Sequence, residues 1–129
     1  MEFWIFIFIM VLLIPLIMII FGAIYIKRPP KNINFFVGYR TSRSTSSPEA
    51  WEYAHRIFGK LWLILGSAII LPFGLSMLFV FDKSVSEIST FGTFLTLFEF
   101  IPMIIPVIFV ESKLRKNFDE NGNKINPKD

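Results

Sequence analysis

The sequence has no cysteine, a single histidine and few charged residues for its length. Of its 129 residues, 18% are Asp, Glu, Lys or Arg, whereas soluble domains contain about 25%. Without cysteine the chain forms no disulfide and offers no thiolate for zinc binding or nucleophilic attack, and His55 alone leaves a metal site short of nitrogen ligands. We therefore expect no metal site, and we expect the protein as a whole to act without catalysis or a cofactor.

Apolar residues dominate instead, and they are concentrated in three long windows. The windows cover residues 3–26, 61–81 and 88–110 and contain one charged side chain, Glu99. As helices they reach about 31–36 Å, and the hydrocarbon core of a bilayer is about 30 Å thick. They predict an all-α integral membrane protein with three transmembrane helices and exclude a soluble enzyme domain.

The distribution of positive charge predicts the orientation in the membrane. Of the 13 Lys and Arg residues, seven lie in the loop 27–60, five in the tail 111–129, and Lys83 alone lies between the second and third windows. Because cytoplasmic loops are enriched in Lys and Arg, we expect the loop and the tail in the cytoplasm and the N-terminus outside. The chain then forms a single membrane domain over residues 1–129.

The same positive charge suits anionic membrane lipids better than nucleic acid, which we do not expect as a partner. The tail is polar past Asn117, and we expect it to be disordered there.

The loop between the first two windows changes composition several times over a short distance. Pro29 and Pro30 end the first helix, and Gly38 permits a turn. From Tyr39 to Ser47 follow six Ser and Thr hydroxyls and two arginines. This set suits phosphate or carboxylate binding, although the glycine pattern of a P-loop is missing.

An amphipathic helix is predicted to begin at Ser47, which precedes a proline and an acid in the first turn. Its apolar face carries Trp51, His55, Phe58 and Trp62. Its polar face carries Glu49, Glu52, Arg56 and Lys60. The spacing of Glu52 and Arg56 favours an ion pair. We expect this segment to lie at the membrane interface before the second span. It either continues into that span or bends at Gly59.

The loop resembles the signature of the SdpI/YfhL family of small bacterial membrane proteins. The resemblance rests on the run Ile-Asn-Phe-Phe-Val-Gly-Tyr-Arg-Thr at 33–41 and on the Trp-x-x-Ala stretch that closes on Gly-Lys at 59–60. The matching positions are Asn34, Gly38, Tyr39, Arg40, Thr41, Ser44, Trp51, Ala54, Gly59 and Lys60. The chain departs from the family pattern at Thr45 and His55, where Met and Asn are common.

The resemblance implies a multi-pass protein of the bacterial cell membrane that confers immunity to a secreted, membrane-active peptide toxin. It also implies signalling to a cytoplasmic regulator, since the best-known family member passes a signal to a repressor held at the membrane. The matching residues then become candidates for partner or toxin binding. An alternative is a small accessory subunit of a larger membrane transporter or signalling complex. An enzyme that acts on a lipid headgroup through Arg40 would lack an evident base.

From the sequence alone, several candidate residues have two possible interpretations. Intramembrane acids usually face a bundle interior, a cavity or a partner, so Glu99 is a candidate toxin contact. It shares one helical seam with Gly92, Thr96, Met103 and Pro106. It is otherwise a protonated acid bonded to Thr96 or to a carbonyl freed by proline. Arg40 holds either a partner carboxylate or a lipid phosphate, and Tyr39 and Trp51 are candidates for interfacial anchors.

Overall fold

The computed structural model describes residues 1–31, 33 and 38–125 of the chain. Asn34 lies outside these residues. Within them the chain is helical, and its elements are α1 (Glu2–Lys27), α2 (Pro48–Ser76), a short 3₁₀ helix (Met77–Val80) and α3 (Val85–Asn117).

Three helical segments are long and apolar enough to cross a membrane, namely α1, α2 together with the 3₁₀ turn, and α3. The prediction of an all-helical protein with three such helices is confirmed. Helix α2 begins before its apolar window, and α3 extends beyond its window at both ends, because polar residues continue both helices.

The first two helices pack antiparallel along their length. Near the start of α1 the Trp4 indole N–H donates to the carbonyl of Met77 at 2.8 Å. Near its end, the backbone of Gly22 lies directly against that of Gly59. Glycine lets two helix backbones approach this closely, which is a common way of joining helices in lipid.

Helix α3 completes the bundle, parallel to α1 and antiparallel to α2. Gly92 lies against the side chain of Ile7. On the α2 side, the Trp62 indole donates to the carbonyl of Met103 at 3.0 Å. Near the start of α2 and the end of α3, the side-chain amide of Asn117 donates to the Tyr53 hydroxyl at 2.8 Å, which also joins these two helices.

Helix α2 begins as the sequence predicts and does not break at Gly59. The Ser47 hydroxyl accepts from the backbone N–H of Ala50 at 3.0 Å, which caps the helix. The predicted ion pair is present, since Arg56 approaches Glu52 to 2.8 Å. The amphipathic segment and the second span are therefore one continuous helix.

Apolar residues are buried at both ends of the bundle rather than in one central core. One cluster surrounds Tyr25, Phe58 and Leu114, and the other surrounds Trp4 and Met77. The apolar face of the amphipathic segment is buried in the first cluster, against α1 and α3. Most outward side chains of the three helices are exposed and apolar, as expected for surfaces that face lipid.

The tail differs from the sequence expectation up to residue 125. Phe118 is 3% exposed and makes an edge-to-face contact with Tyr53, with ring centroids 5.4 Å apart. The carbonyl of Gly122 accepts from the Ser47 hydroxyl at 2.7 Å. The prediction of disorder past Asn117 is therefore wrong for residues 118–125, because one aromatic ring and one turn fix them to α2.

We expect Gly59→Ala to destabilise the bundle by about 1–3 kcal/mol, the usual range for overpacking. An added Cβ would lie 2.8 Å from the Gly22 carbonyl oxygen, and backbone atoms cannot move aside locally. At Gly74 the nearest atom is a methyl of Leu12 at 3.2 Å, so Gly74→Ala serves as the control and should not destabilise. Thermal unfolding in detergent, followed by circular dichroism, measures both. Equal losses in the two variants would contradict this account.

Candidate functional site

The loop residues from Gly38 to Ser46 form a compact unit against the start of α2. Gly38 has φ +108°, a backbone conformation that favours glycine. A Cβ at this position would overlap the imidazole of His55. Glycine is thus required here both by the backbone conformation and by the histidine beneath it.

His55 fixes this loop to α2. Its Nε2 accepts a hydrogen bond from the backbone N–H of Tyr39 at 2.8 Å, and its Nδ1 lies 2.7 Å from the carbonyl of Trp51. With Nε2 as acceptor, the proton sits on Nδ1 and is donated to that carbonyl, so the ring is neutral and both nitrogens are used. The side chain is fully buried. Helical periodicity places His55 on the apolar face, but it does not reveal the loop as its partner.

Tyr39 connects the same loop to α3. Its ring is buried against Phe58, with centroids 4.7 Å apart. Its hydroxyl donates to Glu111 Oε1 at 2.7 Å. Burial, together with the hydrogen bond to the Glu111 carboxylate, raises the pKa of Tyr39 above its usual value, so the phenol stays protonated. Sequence reasoning missed Glu111, whose only signal is an acid directly after the third apolar window.

Ser44 and Thr41 close the loop on itself. The Ser44 hydroxyl is fully buried, accepts from the N–H of Thr41 at 2.8 Å and lies 3.1 Å from the Tyr39 carbonyl, to which it donates. The Thr41 hydroxyl in turn accepts from the N–H of Ser44 at 3.1 Å. These two candidates therefore shape the loop, and their hydroxyls have internal partners.

Trp51 holds the chain at the end of α1. Its indole N–H donates to the carbonyl of Pro30 at 2.7 Å, and its ring packs on His55 with centroids 4.2 Å apart. The side chain is 1% exposed. It is buried among protein groups and is not presented to headgroups as an anchor.

Two of the candidate residues in the loop and the start of α2 present charge outward. Arg40 and Lys60 are exposed, whereas the remaining described candidates there are half-buried or buried, namely Gly38, Tyr39, Thr41, Ser44, Trp51, Ala54 and Gly59. Gly59 is buried by its contact with α1. The candidates thus divide into a buried frame and two cationic side chains on its surface.

Glu99 lies apart from this loop, on the inner face of α3. Twelve residues separate it from Glu111, which is about 18 Å along a helix. Its side chain is fully buried, and neither carboxyl oxygen has a hydrogen-bond partner among the described residues. The Thr96 hydroxyl donates instead to the carbonyl of Gly92 at 2.9 Å. The alternative interpretation, a bond from Glu99 to Thr96 or to a carbonyl freed by proline, is therefore not observed among the described residues.

A groove beside the Glu99 seam opens between α1 and α3. It has a volume of about 260 Å³ and includes Ile7, Met10, Gly92 and Thr96 in its lining. Thr96 is one helical turn from Glu99. Of the seam predicted from the sequence, Glu99 thus lies inside the bundle, whereas Thr96, one turn away, lines the groove at the surface.

Among the residues that the structure describes, no three His, Asp or Glu side chains cluster closely enough to hold a metal ion. The arrangement is that of a folded loop on a helix bundle, with a separate buried acid.

Comparison with known proteins gives a family match. A model of the SdpI/YfhL protein family matches residues 31–110. The uncharacterized protein YfhL of Bacillus subtilis (strain 168) is 42% identical over 53 residues, which cover 41% of this chain and 48% of that protein. The matched stretch thus spans about half the length of this curated relative. No solved structure matches the chain.

We expect Ser44→Ala to open the loop, because the half-buried Thr41 N–H loses its acceptor, the fully buried Ser44 hydroxyl. Leaving such a group unpaired costs about 1–3 kcal/mol. Hydrogen exchange of the amides from 39 to 46 should accelerate by about tenfold or more. Ser42 is exposed, so Ser42→Ala is the matched control and should exchange like the unmodified protein. Unchanged exchange in Ser44→Ala would show that its hydroxyl does not hold the loop.

Proposed function

Since the chain belongs to the SdpI/YfhL protein family, we propose that it is an immunity protein that protects its cell against a secreted, membrane-active peptide toxin. The family match over residues 31–110 carries this proposal. It is consistent with a multi-pass membrane protein, since three helices are suited to span the bilayer. In this proposal the protein acts by binding, without catalysis or a cofactor.

The first proposed contact is the intramembrane acid. Glu99 has no partner among the described residues, and an unsatisfied buried carboxyl destabilises a protein by about 1–3 kcal/mol or more. Acids inside a membrane are usually kept for a function. We propose that an apolar toxin peptide enters the groove between α1 and α3 and supplies the missing partner to Glu99.

The second proposed contact is the outer surface of the loop. The frame made by His55, Tyr39 and Ser44 leaves Arg40 and Lys60 exposed. A guanidinium pairs well with a carboxylate in a bidentate arrangement. We propose that this surface contacts a cytoplasmic regulator, while the buried frame keeps the helices in place.

These two proposed contacts require that the loop faces the cytoplasm. From the charge distribution we propose that the N-terminus lies outside the cell and the loop inside. Because the chain has no cysteine, single cysteines can report it. We expect a membrane-impermeant maleimide to label Lys83→Cys on intact cells stripped of their wall. Lys113→Cys should be labelled only after the membrane is opened. The reverse pattern would contradict the proposed orientation.

Protection itself is tested in a sensitive bacterial host that expresses the chain and is challenged with a panel of secreted membrane-active peptides. We expect survival with the unmodified protein and a loss of about tenfold or more in Glu99→Gln, which is the scale of one lost charge-assisted contact. Arg40→Ala separates toxin binding from signalling, since it should leave toxin binding intact and lower the regulator response.

Glu87→Gln and Arg115→Ala are the matched controls, because both side chains are exposed and lie away from the groove and the loop. Membrane abundance and thermal stability are measured for every variant. Absence of protection against every peptide, with abundant and stable protein, would contradict the immunity proposal. Copurification of a larger membrane protein would then favour an accessory subunit.

A further inference from the structure

A cavity of about 590 Å³ lies where α1 ends and α2 begins. It is separate from the groove beside Glu99 and from the exposed Arg40. Its lining includes Lys27, Arg28, Lys31 and Arg56, with one acid, Glu52. Four positive side chains thus surround one concave surface.

Among the described residues, three of these cations lack an acidic partner. Arg56 pairs with Glu52 at 2.8 Å, whereas no carboxylate of the described ranges lies within salt-bridge distance of Lys27, Arg28 or Lys31. The carboxyl end of α1 contributes about half a negative charge. Three full positive charges outweigh that dipole, so the cavity attracts an anion.

The wall of the cavity is shaped by contacts within the protein. The Trp51 indole N–H is donated to the Pro30 carbonyl at 2.7 Å. Through this bond the tryptophan holds the chain after α1 in place at the edge of the cavity. Lys27, Arg28 and Lys31 are exposed, so their charged groups are available without disturbing the core.

The position of the cavity along the membrane normal indicates the kind of anion. Lys27 directly follows the apolar residues 3–26, so the cavity lies where the hydrocarbon region gives way to headgroups. Basic pockets at this depth bind phosphate-bearing headgroups, and guanidinium pairs with phosphate in a bidentate way. A volume of this size is in the usual range for small-molecule sites, about 300–1,000 Å³.

We propose that this cavity binds the phosphate group of an anionic phospholipid. Lys27, Arg28 and Lys31 supply the positive charge that pairs with the phosphate. The bound lipid would link the end of α1 to the start of α2, which are joined there by the Trp51 hydrogen bond.

The test uses the full chain in detergent, stripped of lipid, with bound lipid counted by native mass spectrometry. The triple variant Lys27→Gln, Arg28→Gln, Lys31→Gln removes the unpaired cations. The control triple Lys113→Gln, Arg115→Gln, Lys116→Gln removes the same charge from the end of α3. All six positions are exposed, so both variants should melt like the unmodified protein without lipid.

We expect the cavity triple to bind phosphatidylglycerol on the order of a hundredfold more weakly than the unmodified protein, the sum expected from three basic residues. The control triple should change affinity by less than about fivefold. Phosphatidylcholine, which has a phosphate but no net charge, should bind weakly to all three proteins.

Competition with inorganic phosphate distinguishes recognition of the phosphate group alone from recognition of the whole lipid headgroup. Competition by millimolar phosphate would assign the site to the phosphate group alone, and failure to compete would assign it to the whole headgroup. Either result supports the anion site. Equal losses in the two triple variants, or full binding in the cavity triple, would overturn it.

Discussion

The close approach of Gly22 and Gly59 is the constraint on which the loop end of the bundle depends. With no side chains between them, α1 and α2 touch through their backbones. One turn further along α1, Tyr25 then reaches His55, with ring centroids 5.1 Å apart in an edge-to-face arrangement. The aromatic cluster under the loop follows from this approach, because a larger residue at either position would push the two helices apart and open the cluster.

On that cluster the chain places its polar loop, and most of the loop hydroxyls have an internal partner. His55 uses both ring nitrogens, and Ser44 and Tyr39 each bond to groups beyond their immediate neighbours. This satisfaction matters at a membrane surface, because an unpaired backbone group beside lipid costs free energy. Most of the described family residues thus build a rigid support beneath the exposed Arg40 and Lys60.

Glu99 shows the opposite balance. It is buried in the bundle with neither oxygen partnered in the described part of the chain, although a hydrophobic residue would pack there at lower cost. The polar loop is satisfied where water is available, and the acid is unsatisfied where it is not. The loop residues therefore stabilise the fold, whereas Glu99 does not. This contrast supports a functional role for Glu99 in the membrane interior.

The sequence by itself determined three membrane-spanning helices, the cap at Ser47 and the pair of Glu52 and Arg56, because each depends on residues that are neighbours along the chain. It also identified Gly38, Tyr39 and Ser44 as candidates through their motif. Only the tertiary structure decided that His55 accepts a hydrogen bond from the Tyr39 N–H and that Glu111 accepts one from the Tyr39 hydroxyl. It also decided that Phe118 anchors the tail. Those partners lie far apart in sequence, and periodicity gives the face of a helix but not what packs against it.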